Sequence, residues 1–190
     1  VVMAAALAEQ GKQEEAIKSL ETARDLFKTQ GKVDQQVETQ INLAVALAKQ
    51  KKLDEAVVQL QDAVKIKPDF APTHVILAGA LSEQGKRDEA VTSLRTAKDL
   101  FKTQGRTEQQ VEATINLAVL LGQQNKIDEA VAESKEAISL KPDSAKAHYV
   151  LALALSSQGK KDEALANLNK TKELLNSQGQ TQQAAQIDQI

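Results

Sequence analysis

The sequence predicts an all-α fold built from antiparallel helix hairpins, and three observations support this prediction. Of the 190 residues, 29 are Ala, 22 are Leu, 22 are Gln and only 2% are aromatic, and the three abundant types all favour helices. The chain repeats itself, with DLFKTQG at 25–31 and 99–105 and INLAV at 41–45 and 115–119. Apolar helical stretches also end at regular intervals in Gln followed by a turn residue. Together these features indicate stacked helical repeats rather than low complexity.

The composition excludes several classes of site. Without cysteine there is no disulfide, zinc–thiolate site, iron–sulfur cluster or cysteine nucleophile. The 24 Lys and Arg and the 26 Asp and Glu residues are interleaved, so the basic stripe that nucleic acids require is missing. No apolar run approaches the roughly 20 residues of a membrane span, which predicts a soluble fragment without membrane insertion. Localisation is left undetermined, with the cytoplasm favoured.

Two spacings define the internal repeat. Residues 37–110 align without gaps to residues 111–184 with 38 identities in 74 positions. A shorter echo, Asp or Glu followed by Glu-Ala, begins at residues 14, 54, 88, 128 and 162, at spacings of 40, 34, 40 and 34. Each echo follows a predicted helix end at Gln10-Gly11, Gln50-Lys51, Gln84-Gly85, Gln124-Asn125 or Gln158-Gly159. Gly and Asn tolerate the left-handed conformation that ends a helix, so each unit is a hairpin of helix A, turn and helix B.

This pattern resembles the tetratricopeptide repeat family. The second repeat carries the family's apolar positions at Leu43, Ala44, Leu47, Ala56, Leu60, Ala63 and Pro68, and the others follow with departures at Ser134 and Thr171. The resemblance implies a right-handed α-solenoid. We expect a single array with repeats at 1–36 (partial), 37–70, 71–110, 111–144 and 145–184 and a partial sixth at 185–190. Because the chain starts at Val1 and stops within a repeat, we expect a piece of a longer protein.

The longer repeats contain six extra residues, which we place between helix B and the next helix A, around 29–36, 103–110 and 177–184. Gly31, Gly105 and Gly179 are the expected helix stops, and Thr107 with Gln110 reads as a capping box. The glutamines of these segments are expected to lie in solvated loops: Gln30, Gln104 and Gln178, with Gln35, Gln36, Gln109 and Gln110.

Ten alanines recur at the two positions where neighbouring helices should approach closely. They are Ala4, Ala44, Ala78, Ala118 and Ala152 in helix A, and Ala16, Ala56, Ala90, Ala130 and Ala164 in helix B. We expect all ten to be buried, with leucines filling the space around them. Phe27 and Phe101, replaced by Leu175 in the last copy, are expected to pack between repeats.

The resemblance also implies a concave groove lined by the A helices. The groove residues expected to contact a partner are Ile41, Asn42, Val45, Val75, Gly79, Ile115, Asn116, Val119, Tyr149 and Leu153, with Glu38, Glu112 and Lys146 on the rim. Some repeats of this family grip an acidic C-terminal tail with a carboxylate clamp of Lys, Asn and Arg. Here only Asn42 and Asn116 fall at suitable positions, so the cationic members of such a clamp are missing. We therefore expect a non-catalytic scaffold whose groove binds an apolar peptide or an amphipathic helix.

Three alternatives remain open. The apolar groove positions could pack between neighbouring A helices and not face a partner. The array could be structural and form homo-oligomers through its groove or its end repeats. It could also be the regulatory or substrate-selecting arm of a larger enzyme.

No catalytic or metal site is expected within the chain. There is no glycine-rich phosphate loop, no nucleophile constellation and no cluster with metal-ligand spacing. We accordingly expect no cofactor. His74 and His148 lie one 74-residue unit apart and should pack against the preceding repeat. Pairs such as Asp88-Glu89 should supply negative charge at helix starts, because adjacent residues on a helix do not face one another.

Overall fold

The computed structural model describes residues 2–187, apart from the side chains of Ala5 and Ala8. Within that range the chain forms helices and no strand, which confirms the predicted all-α class. The helices are α1 (Val2–Glu9), α2 (Gln13–Thr29), α3 (Val33–Lys49), α4 (Leu53–Ile66), α5 (Ala71–Glu83), α6 (Arg87–Thr103), α7 (Thr107–Gln123), α8 (Ile127–Leu140), α9 (Ala145–Ser157), α10 (Lys161–Ser177) and α11 (Thr181–Ile187). Odd-numbered helices are A helices and even-numbered helices are B helices. Residues 188–190 of the predicted sixth repeat lie outside the described residues.

The chain divides into two compact units, residues 1–96 and 97–190, with the boundary inside α6. In the first unit each helix from α1 to α5 packs against the next, and α3 also packs against α5. In the second unit each helix from α7 to α11 packs against the next, and α7 also packs against α9. Successive A helices are therefore direct neighbours within each unit.

The A-to-B turns form as predicted, through one residue in the left-handed conformation. Gly85 has φ of 79°, and the equivalent Lys51 and Asn125 have φ of 64° and 59°. Directly after Gly85, the backbone N–H of Lys86 donates to the carbonyl of Leu81 at 2.9 Å. This bond satisfies one of the carbonyls that a helix end leaves unpaired. Lys51 adopts the same conformation at a steric cost, because its Cβ crowds the following carbonyl oxygen.

The six extra residues of the longer repeats lengthen helices, so their predicted placement between helix B and the next helix A is wrong. Helices α2 and α3 have 17 residues each, whereas α4 and α5 have 14 and 13. The connection between α2 and α3 is residues 30–32, which is shorter than the connection 67–70 between α4 and α5. Gln30, Gln104 and Gln178 are exposed at the turns as expected. The remaining four glutamines lie inside helices: Gln35, Gln36, Gln109 and Gln110.

The capping box predicted at Thr107 is also absent. Helix α7 starts one residue earlier than that motif requires, with Arg106 as the N-cap and no side-chain capping bond. The backbone N–H of Gln110 donates to the Arg106 carbonyl at 2.9 Å, and the Gln110 side chain is buried at 5% exposure. The Thr107 hydroxyl thus sits inside the first turn, where it has no N-cap geometry.

Small residues at the helix contacts form the core, as predicted. All ten recurring alanines are at most 5% exposed. Leu43, Leu60 and Leu117 beside them are at most 1% exposed, and each buried leucine contributes roughly 1.5–3 kcal/mol before chain entropy is subtracted. Ser134 occupies the place of Leu60 in its repeat and is fully buried, with its hydroxyl donating to the Ala130 carbonyl at 2.7 Å. No described helix is long and apolar enough to cross a membrane.

Candidate functional site

In the second unit, α7 and α9 together present an exposed face with aliphatic side chains. Val119 on α7 is 38% exposed and Leu153 on α9 is 44% exposed, while Tyr149 is half-buried beside them in register. The Lys146 ammonium on α9 donates to the Asn116 side-chain oxygen on α7 at 3.3 Å. This bond joins the two helices across the face that the repeat register predicted.

The first unit repeats this face on α3 and α5 with less bulk. Val45 is 38% exposed, the same as Val119. Gly79 stands where α9 has Leu153, and a Cβ added there would meet no atom within 4 Å. Asn42 is exposed, and Ile41 and Val75 are half-buried. We refer to these exposed positions, which are Val45 and Gly79 in the first unit and Val119 and Leu153 in the second, as the A-helix surface of each unit.

Ile115 does not reach this surface, although the register placed it among the groove residues. Its side chain is 2% exposed and packs in a core cluster with Val111, Ala118 and Val150. Sequence position alone put Ile115 beside Ile41, which is half-buried. The depth of each side chain is set by the residues of the adjacent helices, so we leave Ile115 out of the proposed contact surface.

Carboxylates surround one lysine beside the start of α3. The Lys67 ammonium donates to Asp34 at 2.6 Å, and the exposed Glu38 lies on the same helix as Asp34. The hydrogen bond to Asp34 raises the pKa of Lys67, with smaller contributions from the charges of Asp69 and Glu38. This edge of the surface therefore carries more negative than positive charge.

The same arrangement recurs 74 residues later. The Lys141 ammonium donates to Glu108 at 2.7 Å, and this bond raises the pKa of Lys141, with smaller contributions from Asp143 and Glu112. The exposed Lys146 on α9 is the positively charged rim residue. The rim residues Glu38, Glu112 and Lys146 are all solvent-exposed.

A buried ion cluster between α6 and α8 was missed by the sequence reasoning. Lys98 on α6 donates to Glu133 at 2.8 Å and to Glu136 at 3.1 Å, both on α8. The side chains of Lys98 and Glu133 are only 13% and 10% exposed. In the first unit the equivalent pair is Arg24 and Gln59, joined at 3.1 Å. The sequence offered one sign of this cluster, because basic residues recur at the same position of helix B as Arg24 and Lys98.

A cleft of about 660 Å³ lies between α9, α10 and α11 and was also missed. Its floor includes Ala145, Thr171 and Leu175, and its rim includes Lys146 and Tyr149 of the predicted groove. The available signal was the replacement of Phe101 by Leu175 in the last copy, which leaves room beside the helix.

The two histidines are structural. The Nε2 atoms of His74 and His148 lie 2.8 Å and 3.2 Å from the carbonyls of Pro68 and Pro142, so each ring closes the turn before its own helix. His148 Nδ1 also lies 2.9 Å from the Asn167 side-chain oxygen. Over residues 2–187, no group of three or more His, Asp or Glu residues could hold a metal ion.

Models of one family match most of the chain. Those described as tetratricopeptide repeat match residues 1–69, 71–96 and 145–174, and one described as TPR repeat matches residues 120–159. Together the four matches cover more than half of the sequence. No curated protein matches the chain.

Several solved structures share the fold at low sequence identity. A crystal structure of MamA has a TM-score of 0.77 and 20% identity, covering 93% of this chain and 96% of its own. MamA residues 41 to the end from Desulfovibrio magneticus RS-1 has a TM-score of 0.73 and 18% identity, covering 93% of each chain. A Podosopora anserina structure with nearly identical TPR-like repeats has a TM-score of 0.78 and 20% identity, again covering 93% of each chain. These similarities concern the fold.

Proposed function

Because this chain belongs to the tetratricopeptide repeat family, whose members bind protein partners, we propose that it is a protein-interaction scaffold that holds an apolar or amphipathic segment on the A-helix surface. The proposal is for binding without catalysis. Its chemistry is the burial of aliphatic side chains that water otherwise covers.

The observation that carries the proposal is the exposure of three aliphatic side chains at one repeat position. Val45, Val119 and Leu153 are 38%, 38% and 44% exposed, and Gly79 at the same position leaves open space. Soluble proteins more often place Lys, Glu or Gln at such positions. Exposed apolar residues that recur in register are typical of a surface that a partner covers.

The edge of the surface favours an amphipathic partner. Three carboxylates surround Lys67, and three surround Lys141. Basic side chains flanking an apolar stretch would be attracted to these edges, which would increase the association rate more than the affinity. The exposed Lys146 provides one opposite charge, so a partner with a single acidic group near α9 is also accommodated.

The test removes the apolar character of the surface and leaves the core intact. Residues 1–190 would be immobilised as wild type and as the double variant Val119→Glu with Leu153→Glu, and captured proteins would be quantified by mass spectrometry. A matched control is Leu165→Glu on α10, because Leu165 is 58% exposed and is not part of the surface.

We expect partners captured by the wild type and by the Leu165→Glu control to be lost from the double variant while its helical circular dichroism is unchanged. Equal capture by all three proteins would refute the proposal. Unfolding of the double variant alone would show that these side chains support the fold instead.

Self-association is the second candidate function, and exposed residues on α1 favour it. Val2 is 87% exposed and Met3 is 66% exposed, an apolar pair that a second copy could cover. Light scattering over a range of concentrations, with Met3→Glu as the comparison, would test it. A mass that stays monomeric at all concentrations would exclude this role.

A further inference from the structure

We propose that the cleft between α9, α10 and α11 receives an aromatic side chain from the partner polypeptide. The inference rests on the proposed function, because the same partner would cross the A-helix surface. It adds a separate anchoring site with its own chemistry, and the test below distinguishes the two.

The floor of the cleft favours an apolar occupant. Ala145 and Leu175 are each 7% exposed and Thr171 is 2% exposed. The Thr171 hydroxyl already donates to the Asn167 carbonyl at 2.9 Å, so the floor offers little hydrogen bonding to a polar group. The volume of about 660 Å³ falls within the roughly 300–1,000 Å³ typical of ligand pockets. A polar group placed against this floor would lose bonds to water and find few replacements there.

The repeat itself indicates that the occupant is aromatic. Leu175 stands at the position of Phe101, which is 3% exposed and lies 4.9 Å from the guanidinium of Arg106. Gln180, on the rim, stands at the position of Arg106. The ring and the cation that covers it are thus both replaced by smaller neutral residues.

A second lining position shows the same loss. Ser144 stands at the position of Phe70, whose ring lies 5.3 Å from the Lys67 ammonium. Lys141, the equivalent of Lys67, remains in the lining of the cleft. A ring supplied by the partner would meet this cation in the way that Phe70 meets Lys67.

The rim favours a polypeptide over a free aromatic molecule. The side-chain amides of Gln180, Gln183 and Gln186 line the cleft and make no hydrogen bond within residues 2–187. Each amide can both donate and accept, which matches a peptide backbone. Lys146 and Tyr149 also line the cleft and continue it towards Leu153 on the A-helix surface.

The test uses three small probes against ¹⁵N-labelled residues 1–190: N-acetyl-Gly-Phe-Gly-amide, its Ala counterpart and benzyl alcohol. We expect the Phe peptide to shift the amide signals of Ser144, Gln180 and Gln183 in a saturable manner. The Ala peptide should leave these signals in place, and benzyl alcohol should bind at least about fivefold more weakly because it lacks the backbone groups. Equal shifts from the Phe and Ala peptides would overturn the aromatic assignment. Benzyl alcohol binding as tightly as the Phe peptide would overturn the polypeptide assignment.

Filling the cleft provides the matched variants. Leu175→Phe should weaken binding of the Phe peptide by about tenfold or more. Leu175→Phe with Gln180→Arg should abolish this binding, because it recreates the Phe101–Arg106 pair inside the cleft. Leu165 on the same helix is 58% exposed, so Leu165→Phe should leave the affinity for the Phe peptide unchanged. Should the filled variants not fold, Gln183→Trp on the exposed rim covers the mouth and must weaken binding equally.

Unchanged binding by a folded Leu175→Phe or Gln183→Trp variant would refute the site. Val119→Glu should leave the short Phe peptide unaffected, since the peptide does not reach that residue. Failure of the A-helix surface proposal would therefore leave binding of the Phe peptide in the cleft unchanged. Loss of the cleft site would likewise leave the capture experiment on Val119 and Leu153 to be decided by itself.

Discussion

Replacing Lys98 with Met should destabilise the 97–190 unit, because the change removes the ammonium that donates to the buried Glu133 carboxylate. Lys98 and Glu133 are 13% and 10% exposed and lie 2.8 Å apart. Removing one partner of a buried pair costs about 3–5 kcal/mol. Glu136, the second acceptor, is 40% exposed and is partly solvated in the variant. We therefore expect Lys98→Met to lower the free energy of unfolding by about 2–4 kcal/mol. For a chain of this length that is a fall in the unfolding midpoint of roughly 5–15 °C.

The chain supplies its own rescue and its own control. Gln59 stands at the position of Glu133 in the first unit. Lys98→Met with Glu133→Gln should therefore recover at least about half of the lost stability, because the buried group that has lost the Lys98 ammonium is then neutral. Arg24→Met, at the position of Lys98, breaks a bond to the neutral Gln59 and an ion pair with the exposed Asp25. Because neither partner is a buried charge, the change should cost only about 0.5–1.5 kcal/mol.

The pH dependence follows from the pKa of Lys98. Burial alone would lower this pKa, but hydrogen bonds to Glu133 and Glu136 outweigh burial and raise it above the ordinary value of 10.5. The folded protein therefore holds this proton more tightly than the unfolded chain does. The stabilisation is complete below pH 10.5 and is lost as the pH rises through the raised value.

Urea unfolding of the four proteins, followed by circular dichroism at pH 8 and pH 11, measures both effects. The difference between wild type and Lys98→Met should shrink at the higher pH. A cost below about 0.5 kcal/mol at pH 8 would place the pair in the class of exposed ion pairs. The absence of rescue by Glu133→Gln would also refute the reasoning.

Three further predictions concern the turns and the core, each measured by urea unfolding. Lys51→Gly should stabilise the chain by about 0.5–1 kcal/mol, because its φ of 64° strains an L residue, while Asn125→Gly should change less since Asn tolerates that region; equal effects would contradict this. Gly85→Ala should cost about 1 kcal/mol because φ is 79°, and a stabilised variant would contradict it. Leu60→Ala should lower the free energy of unfolding by about 2–5 kcal/mol, and Ser134→Ala at the equivalent position by less than about 1 kcal/mol. A larger loss for Ser134→Ala than for Leu60→Ala would contradict this.

The hairpins could be predicted because their determinants are local. Gln followed by Gly or Asn specifies a helix end through backbone conformation, and the same turn forms at Lys51, where neither residue is present. The six extra residues could not be placed in the same way. Gly31 ends α2 whether the following residues are loop or helix, and Gln35 and Gln36 suit either. Packing between long neighbouring helices decided in favour of helix.

The candidate site shows the same division. Repeat register identified Val45, Val119 and Leu153, which are exposed, but it assigned Ile115 to the same face. Whether a residue at a given position is core or surface depends on the side chains that pack over it from adjacent helices. The cleft and the Lys98 cluster escaped prediction because each joins residues from different repeats.

Local sequence therefore specified where helices end, which alanines permit close contact and which family the chain belongs to, since these depend on backbone conformation and on side-chain size in a fixed register. Tertiary packing alone decided how long the helices of the longer repeats are, that Ile115 is buried while Val119 is exposed, and that Lys98 meets Glu133. Those outcomes depend on the distance and volume between residues far apart in sequence, which no local pattern contains.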